Sequence, residues 1–203
     1  MDGNKRWSKK NNLSENIAYT NGAKKIIDIA KFIFNEFNVP FVSAFAISKN
    51  NLNRPKSSIK LLINILDDKL NDILINSNNY QFNIIFLGDF DFLPPQTKDK
   101  IDKVNLIEKQ YNNKLIIFLN YSGQFDIFNA YKHLLNKKIN FDDFHNCLIT
   151  KNIPNPDIIL RTGGFKRISD FLLYQIAFTE LFFTKTLWPD IKNNQIRKII
   201  NEY

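Results

Sequence analysis

The sequence predicts an α/β fold: a single domain built on a mostly parallel central sheet with helices on both faces. Two patterns carry this expectation. Apolar runs of strand length alternate along the chain with segments whose apolar residues recur at helical spacing. The strand candidates are also apolar throughout instead of alternating with polar residues, as strands buried on both faces of a parallel sheet must be. At 203 residues, with 44% hydrophobic and 24% charged side chains, the chain is long enough to enclose one ordinary core and too apolar for wholesale disorder.

Ile26, Ile29, Ala30, Ile33, Phe34 and Phe37 mark one helix face, with Asn21 as a candidate cap. Residues 40–47 read as a buried strand. Pro55 and Ser57 open a second helix, in which Ile59, Leu62, Ile63, Leu66, Leu70, Ile73 and Leu74 keep register. Residues 82–87 are the next strand, broken by Gly88-Asp89. A polar helix is expected from Pro94-Pro95 to about residue 111, and a third strand at 115–119. The pattern then predicts helix at 125–135, strand at 157–160, helix at 171–177, strand at 181–183 and helix at 191–203. Ligands of such sheets bind beyond the carboxyl ends of the strands. Polar punctuation falls at those ends: Gly88-Asp89, Asn120 to Gly123 and Arg161 to Gly164.

Several classes of protein are disfavoured. One cysteine, Cys147, allows no internal disulfide, and with only His133 and His145 beside it no zinc cluster forms. The polar start, Met1 to Arg6, lacks the apolar core of a secretory leader. The apolar stretch 171–183 is interrupted by Gln175 and Glu180 and is too short to span a membrane. A surplus of 28 basic over 20 acidic residues, +8, attracts anions of any kind. The lysines are scattered and no recognition motif accompanies them, so a nucleic-acid partner is not expected.

Four segments could carry chemistry. In Arg161-Thr-Gly-Gly-Phe-Lys-Arg167-Ile168-Ser169, two guanidiniums, a hydroxyl and two glycines could converge on a diphosphate, although an ordinary loop with surface arginines uses the same residues. In Met1-Asp2-Gly3-Asn4-Lys5-Arg6-Trp7, a carboxylate and an arginine could set a metal ion against a phosphate; read alone, the run also suits a flexible polar terminus. The run Ser48-Lys49-Asn50-Asn51-Leu52-Asn53-Arg54 could orient a polar substrate, or simply make a loop. Glu180, set among apolar neighbours, would be costly unless paired with an arginine or bound to a metal.

Together these segments resemble the cis-prenyltransferases, a family whose bacterial members include undecaprenyl diphosphate synthase. The family's Met-Asp-Gly-Asn-Gly-Arg-Trp is matched by Met1 to Trp7, with Lys5 in the second glycine's place. Its Ala-Phe-Ser-x-Glu-Asn-Trp-x-Arg-Pro is matched by Ala46 to Pro55. Its Asp-Leu-x-Ile-Arg-Thr-Gly-Gly-x-x-Arg-x-Ser-Asn-Phe-Leu-Leu-Trp-Gln is matched by Asp157 to Gln175, and Glu-Leu-Tyr-Phe and Trp-Pro-Asp by Glu180 to Phe183 and Trp188 to Asp190.

The resemblance implies a magnesium-dependent transferase. An allylic diphosphate such as farnesyl diphosphate ionises, isopentenyl diphosphate attacks, and a proton is lost so that the new double bond is cis. By matching position, Asp2 is implied at the magnesium and the allylic diphosphate, with Gly3, Asn4, Lys5, Arg6 and Trp7 around the phosphates. Arg161, Arg167, Ile168 and Ser169 are implied in holding isopentenyl diphosphate, and Glu180 in completing the metal site. Asn51 matches the asparagine tied to proton removal, with Ser48, Lys49, Asn50, Leu52 and Arg54 as neighbours; an amide is a poor base, so Asn51 reads better as a positioning group. An apolar tunnel for the hydrocarbon, a homodimer, and a cytoplasmic protein at most peripheral to the membrane are further implications.

The departures are equally specific. Glu15 aligns with a phosphate-contacting arginine and Tyr19 with a histidine, while Asn50 and Leu52 replace glutamate and tryptophan. Gln124 stands for the arginine after Asn-Tyr-Gly-Gly, and Phe165 for the glutamate after Arg-Thr-Gly-Gly. The domain, residues 1–203, is expected to lack the family's first strand and its basic tail. The alternative these departures raise is a weakened or non-catalytic subunit that needs a partner chain.

Overall fold

Ser14, and not Asn21, starts the first long helix. A computed structural model describes residues 1–107, 111–135, 138 and 140–203. Helix α1 (Asn4–Lys10) is followed by α2 (Glu15–Glu36), whose first turn is closed where the Ser14 hydroxyl accepts the Ile17 N–H at 3.3 Å. Apolar spacing underestimates α2 because its buried residues before Ile26 are the small Ala18 and Gly22. A Cβ at Gly22 would lie 2.4 Å from Asn4 Oδ1, so glycine here lets α1 and α2 approach.

Three strands, β1 (Phe41–Ser48), β2 (Asn83–Gly88) and β3 (Lys114–Tyr121), form a parallel sheet in the order β1-β3-β2. β4 (Ile158–Arg161) and β5 (Glu180–Phe183) pair in parallel with each other. The sheet is therefore parallel as expected, but its ladder comes in two pieces. Register shifts between Phe45 and Ser48 interrupt regular pairing at the end of β1.

Alternate residues of β3 show why the strand sequence is apolar throughout. Leu115, Ile117 and Leu119 enter a core with Ile26 and Ile29 of α2 and Leu66 and Leu70 of α3 (Lys56–Ile75). Ile116 and Phe118 enter a second core with Tyr121, Phe171 and Leu172. Helices cover the first face, but the second is covered largely by turns, because residues 171–177 are not helical. Ser169, Asp170 and Leu172 take positive φ (54°, 67° and 52°), which no right-handed helix accommodates. The apolar run is spent on packing instead: the Phe171 ring stacks on Phe45 at 4.5 Å and meets Phe118 edge-on at 5.2 Å.

α4 (Pro95–Asn105) stops short of the expected end because Asn105 turns its amide onto β2, exchanging hydrogen bonds with the Phe86 N–H and carbonyl. The expected continuation through 108–110 lies outside the described residues. α5 (Gly123–Leu134), α6 (Phe141–Asn146) and α7 (Asn193–Glu202) complete the fold. Among the described residues, no helix is long and apolar enough to cross a membrane.

Candidate active site

Asp2 is clasped to the carboxyl end of β4 by its own backbone. Its N–H donates to Thr162 Oγ1 at 3.0 Å, and the same hydroxyl donates back to the Asp2 carbonyl at 3.0 Å. The Trp188 N–H donates to that carbonyl as well, at 3.0 Å. Residue 2 is thus held from two directions rather than left as a loose terminus. Thr162 is almost wholly buried, and sequence reasoning passed over it although it lies inside the Arg-Thr-Gly-Gly run.

The clasp places the Asp2 carboxylate between two arginines, with Arg161 Nη2 at 3.0 Å from Oδ2 and Arg6 Nη2 at 3.3 Å from Oδ1. Burial alone would push this carboxyl up. The hydrogen bond from Arg161 and the charges of Arg6 and Arg161 outweigh it and hold the group below the usual carboxylate range. Arg161 Nη1 also donates to Ser169 Oγ and to the Arg167 carbonyl, which folds the loop after β4 back over the strand end. The structure therefore brings Asp2, Arg6, Arg161, Arg167 and Ser169 together.

Between them the loop turns on Gly163 and Gly164, both at positive φ (83° and 86°). Their N–H groups donate to the Thr186 and Thr184 carbonyls, each at 2.8 Å. Asp170 anchors the far end of the loop to α5: its carboxylate accepts from Ser122 Oγ at 2.5 Å and from the Gln124 N–H at 2.9 Å.

The other expected residues divide. Trp7 ties α1 to the turn after β5 through Nε1, which donates to Asp190 Oδ1 at 2.7 Å. Lys5 pairs with Glu15 at 2.9 Å, so the charge that would repel a phosphate is neutralised. Tyr19 accepts from Arg54 Nη1 at 3.1 Å and so supports that guanidinium. Asn51 Oδ1 accepts the Ser48 N–H at 3.3 Å, which leaves the amide N–H groups to act as donors. Lys49 turns away to Asp89 at 3.3 Å and lies over the Phe125 ring at 3.7 Å, and Leu52 packs against the first core. Asn50 is exposed and accepts from Asn53 Nδ2 at 3.0 Å, while Ile168 is half-buried beside Ser169.

Glu180 needs correction on two counts. It is exposed, so its apolar neighbours in sequence impose no desolvation cost. It also sits beside Ile158 in the β4–β5 register whereas Arg161 sits beside Phe183, so three residues, roughly 10 Å of strand, separate its position from the Asp2 cluster. The β4–β5 register by itself therefore does not set Glu180 beside Arg161. No three His, Cys, Asp or Glu side chains gather among the described residues. Magnesium, however, takes only one or two protein carboxylates and completes its shell from water and phosphate. A single ionised Asp2 fits such a shared ion.

Beside this polar cluster lies an apolar cavity of about 110 Å³ between α2, α3 and the sheet. Met1, Asn4 and Tyr19 line it on the α1 side; Ile73, Tyr80 and Phe86 line it deeper in the fold. Asn4 Oδ1 is buried there without a hydrogen-bond partner.

A cationic cluster next to an apolar cavity, on a parallel α/β sheet, defines a protein that handles an amphiphile with an anionic, phosphate-like head. Residues 1–203 match the prenyltransferase family described as "Putative undecaprenyl diphosphate synthase". The chain is 36% identical to a tritrans,polycis-undecaprenyl-diphosphate synthase (geranylgeranyl-diphosphate specific) of Pyrobaculum aerophilum, an alignment covering 100% of this chain and 89% of that protein. It is 34% identical to an isoprenyl transferase of Chlamydia pneumoniae, covering 100% and 86%. Among solved structures, lavandulyl diphosphate synthase from Lavandula x intermedia, in complex with dimethylallyl diphosphate, superposes with a TM-score of 0.88 at 25% identity over 100% of this chain and 92% of that one. The chain belongs to the cis-prenyltransferase family.

Proposed function

We propose that the chain condenses isopentenyl diphosphate with an allylic diphosphate such as farnesyl diphosphate to give a cis-polyprenyl diphosphate. The observation that carries this reading is the Asp2–Arg6–Arg161–Ser169 cluster beside an apolar cavity. The allylic C–O bond breaks and diphosphate departs with the electron pair. The double bond of isopentenyl diphosphate supplies the electrons of the new C–C bond, and a proton leaves the adjacent carbon. Departure of the leaving group requires positive charge held in place beforehand, and this chain supplies guanidiniums oriented by hydrogen bonds before any substrate binds.

Arg6 and Asp2 serve the allylic diphosphate; Arg161, Arg167 and Ser169 serve isopentenyl diphosphate. Asn51, with its oxygen taken by the backbone, orients substrate as a donor and does not accept the proton. Asp2 would hold magnesium, which when bound adds positive charge to the departing diphosphate. The hydrocarbon enters the apolar cavity. Two copies pair through the edge of β5 and the side chains near it: Phe178 is 99% exposed and Leu181 43%. Glu180, on that same strand, would serve the metal from a second copy. The protein is cytoplasmic and at most peripheral to the membrane that receives its product.

The test is incubation of purified, folded protein with magnesium, farnesyl diphosphate and labelled isopentenyl diphosphate. A butanol-extractable product that disappears on chelation of magnesium is expected, and its absence refutes the reading. Activity that arises only with a second family member added would instead establish a partner-dependent subunit. Light scattering that shows a monomer would remove the homodimer and the role of Glu180.

A further inference from the structure

Phe165 is an apolar ring on a polar loop, 46% exposed, and its surroundings are cationic rather than hydrophobic. The guanidinium carbon of Arg167 lies 4.6 Å from its centroid, that of Arg6 5.0 Å and that of Arg161 5.8 Å. These arginines come from three places: α1, the end of β4 and the loop beyond it. Gathered like charges repel, and among the described residues Asp2 pairs with Arg6 and Arg161 but not with Arg167. Among the described residues the Arg167 guanidinium makes no ion pair, and it lies over the ring. The negative faces of an aromatic ring attract cations, most strongly where water is displaced. The position of Phe165 is set by its loop, through the N–H groups of Gly163 and Gly164, and not by burial of its own side chain.

We infer that Phe165 is a positioning residue that gathers the three guanidiniums, holding Arg167 above all, with Arg161, as a clamp for the isopentenyl diphosphate and Arg6 beside them at the allylic diphosphate. The ring draws the cations together without neutralising them, which a carboxylate at this position would do. Their full charge stays available to the ligand, and the clamp is assembled before binding. The proposal rests on the diphosphate-binding reading of this site and adds to it the part that sets affinity.

The test compares Phe165→Leu and Phe165→Trp with wild type, by the KM for isopentenyl diphosphate, by kcat, and by calorimetric binding of inorganic pyrophosphate. Phe165→Leu keeps apolar volume and loses the ring; it is expected to raise both KM and the pyrophosphate Kd about five- to tenfold, with kcat within about twofold. Phe165→Trp should restore both. In an Arg167→Ala background the same Leu substitution should change Kd by less than about twofold, because the residue it positions is gone. Equal melting temperatures of Phe165→Leu and wild type would show that the loss is not unfolding. Unchanged KM and Kd in Phe165→Leu, or a loss confined to kcat, overturns the proposal while leaving the site reading intact. A wild-type protein that binds no pyrophosphate overturns both.

Discussion

Replacing Gly163 and Gly164 by alanine, one at a time, separates what the loop costs from what it positions. Both residues hold positive φ, 83° and 86°, so either alanine should lose about 1–2 kcal/mol of stability through backbone strain alone. For a chain of this size that is a fall in Tm of roughly 2–8 °C. The two sites differ in what the new methyl meets. At Gly164 the nearest heavy atom is Lys185 Cα at 3.8 Å, an ordinary contact. At Gly163 the methyl would lie 2.6 Å from Arg6 Nη2 and 3.1 Å from the Asp2 carbonyl oxygen. The arginine must swing away from Asp2, and the carbonyl that accepts from Thr162 and Trp188 must shift by tenths of an ångström. A charge-assisted hydrogen bond to a phosphate contributes about 1.5–3 kcal/mol, so Gly163→Ala should lose roughly 10- to 150-fold in kcat/KM. Gly164→Ala should stay within about threefold of wild type. Thermal melts and steady-state kinetics with the allylic diphosphate as the varied substrate check this. Equal kcat/KM for the two variants would refute the idea that Gly163 makes room for Arg6.

Burial pushes the Asp126 carboxyl above its ordinary value, against hydrogen bonds from the Ile149 N–H at 3.0 Å and the Tyr121 hydroxyl at 3.1 Å. A carboxyl raised in the folded state stabilises the fold most below its unfolded value, and that contribution is lost as pH rises through the folded value. Asp126→Asn should therefore melt at or above wild type near about pH 8 and lose the advantage towards about pH 4. Asp126→Ala, which leaves both donors unpaired, should lose about 1–3 kcal/mol; an Asn variant that melts below wild type at the higher pH would contradict the account. Trp188→Phe removes the bond from Nε1 to the Gly22 carbonyl at 2.8 Å and should lower stability by about 1–3 kcal/mol in urea melts, with m unchanged. Ile73→Ala or Tyr80→Ala deepens the apolar cavity and should shift products to longer chains by mass spectrometry; an unaltered distribution would show that these walls do not limit the product.

Much of the fold was legible because it follows from local patterning. The strand sequences reveal burial on both faces, and β3 shows why: Leu115, Ile117 and Leu119 face one core while Ile116 and Phe118 face the other. Residues 171–177 misled because apolar periodicity does not distinguish a helix from turns whose side chains fill a core. The positive φ values of Asp170 and Leu172 decide that difference. The site was legible as segments, Met1 to Trp7 and Arg161 to Ser169, because each carries polar groups where a strand or terminus meets solvent. Lys49 and Glu180 could not be placed in this way: one is drawn off to Asp89, and the other stands at the opposite end of its strand from Arg161.

By itself the sequence determined the class of fold and the family, since hydrophobic spacing and motif order are properties of a linear chain. Only the tertiary structure decided which charges meet. Asp2 and Arg161 are separated by 159 positions and lie 3.0 Å apart, and the Lys5–Glu15 pair neutralises a carboxylate that alone reads as hostile to phosphate. The physical reason is range: helix and strand preferences act over a few residues, whereas the energy of an ion pair or a ring–cation contact depends on distance in space.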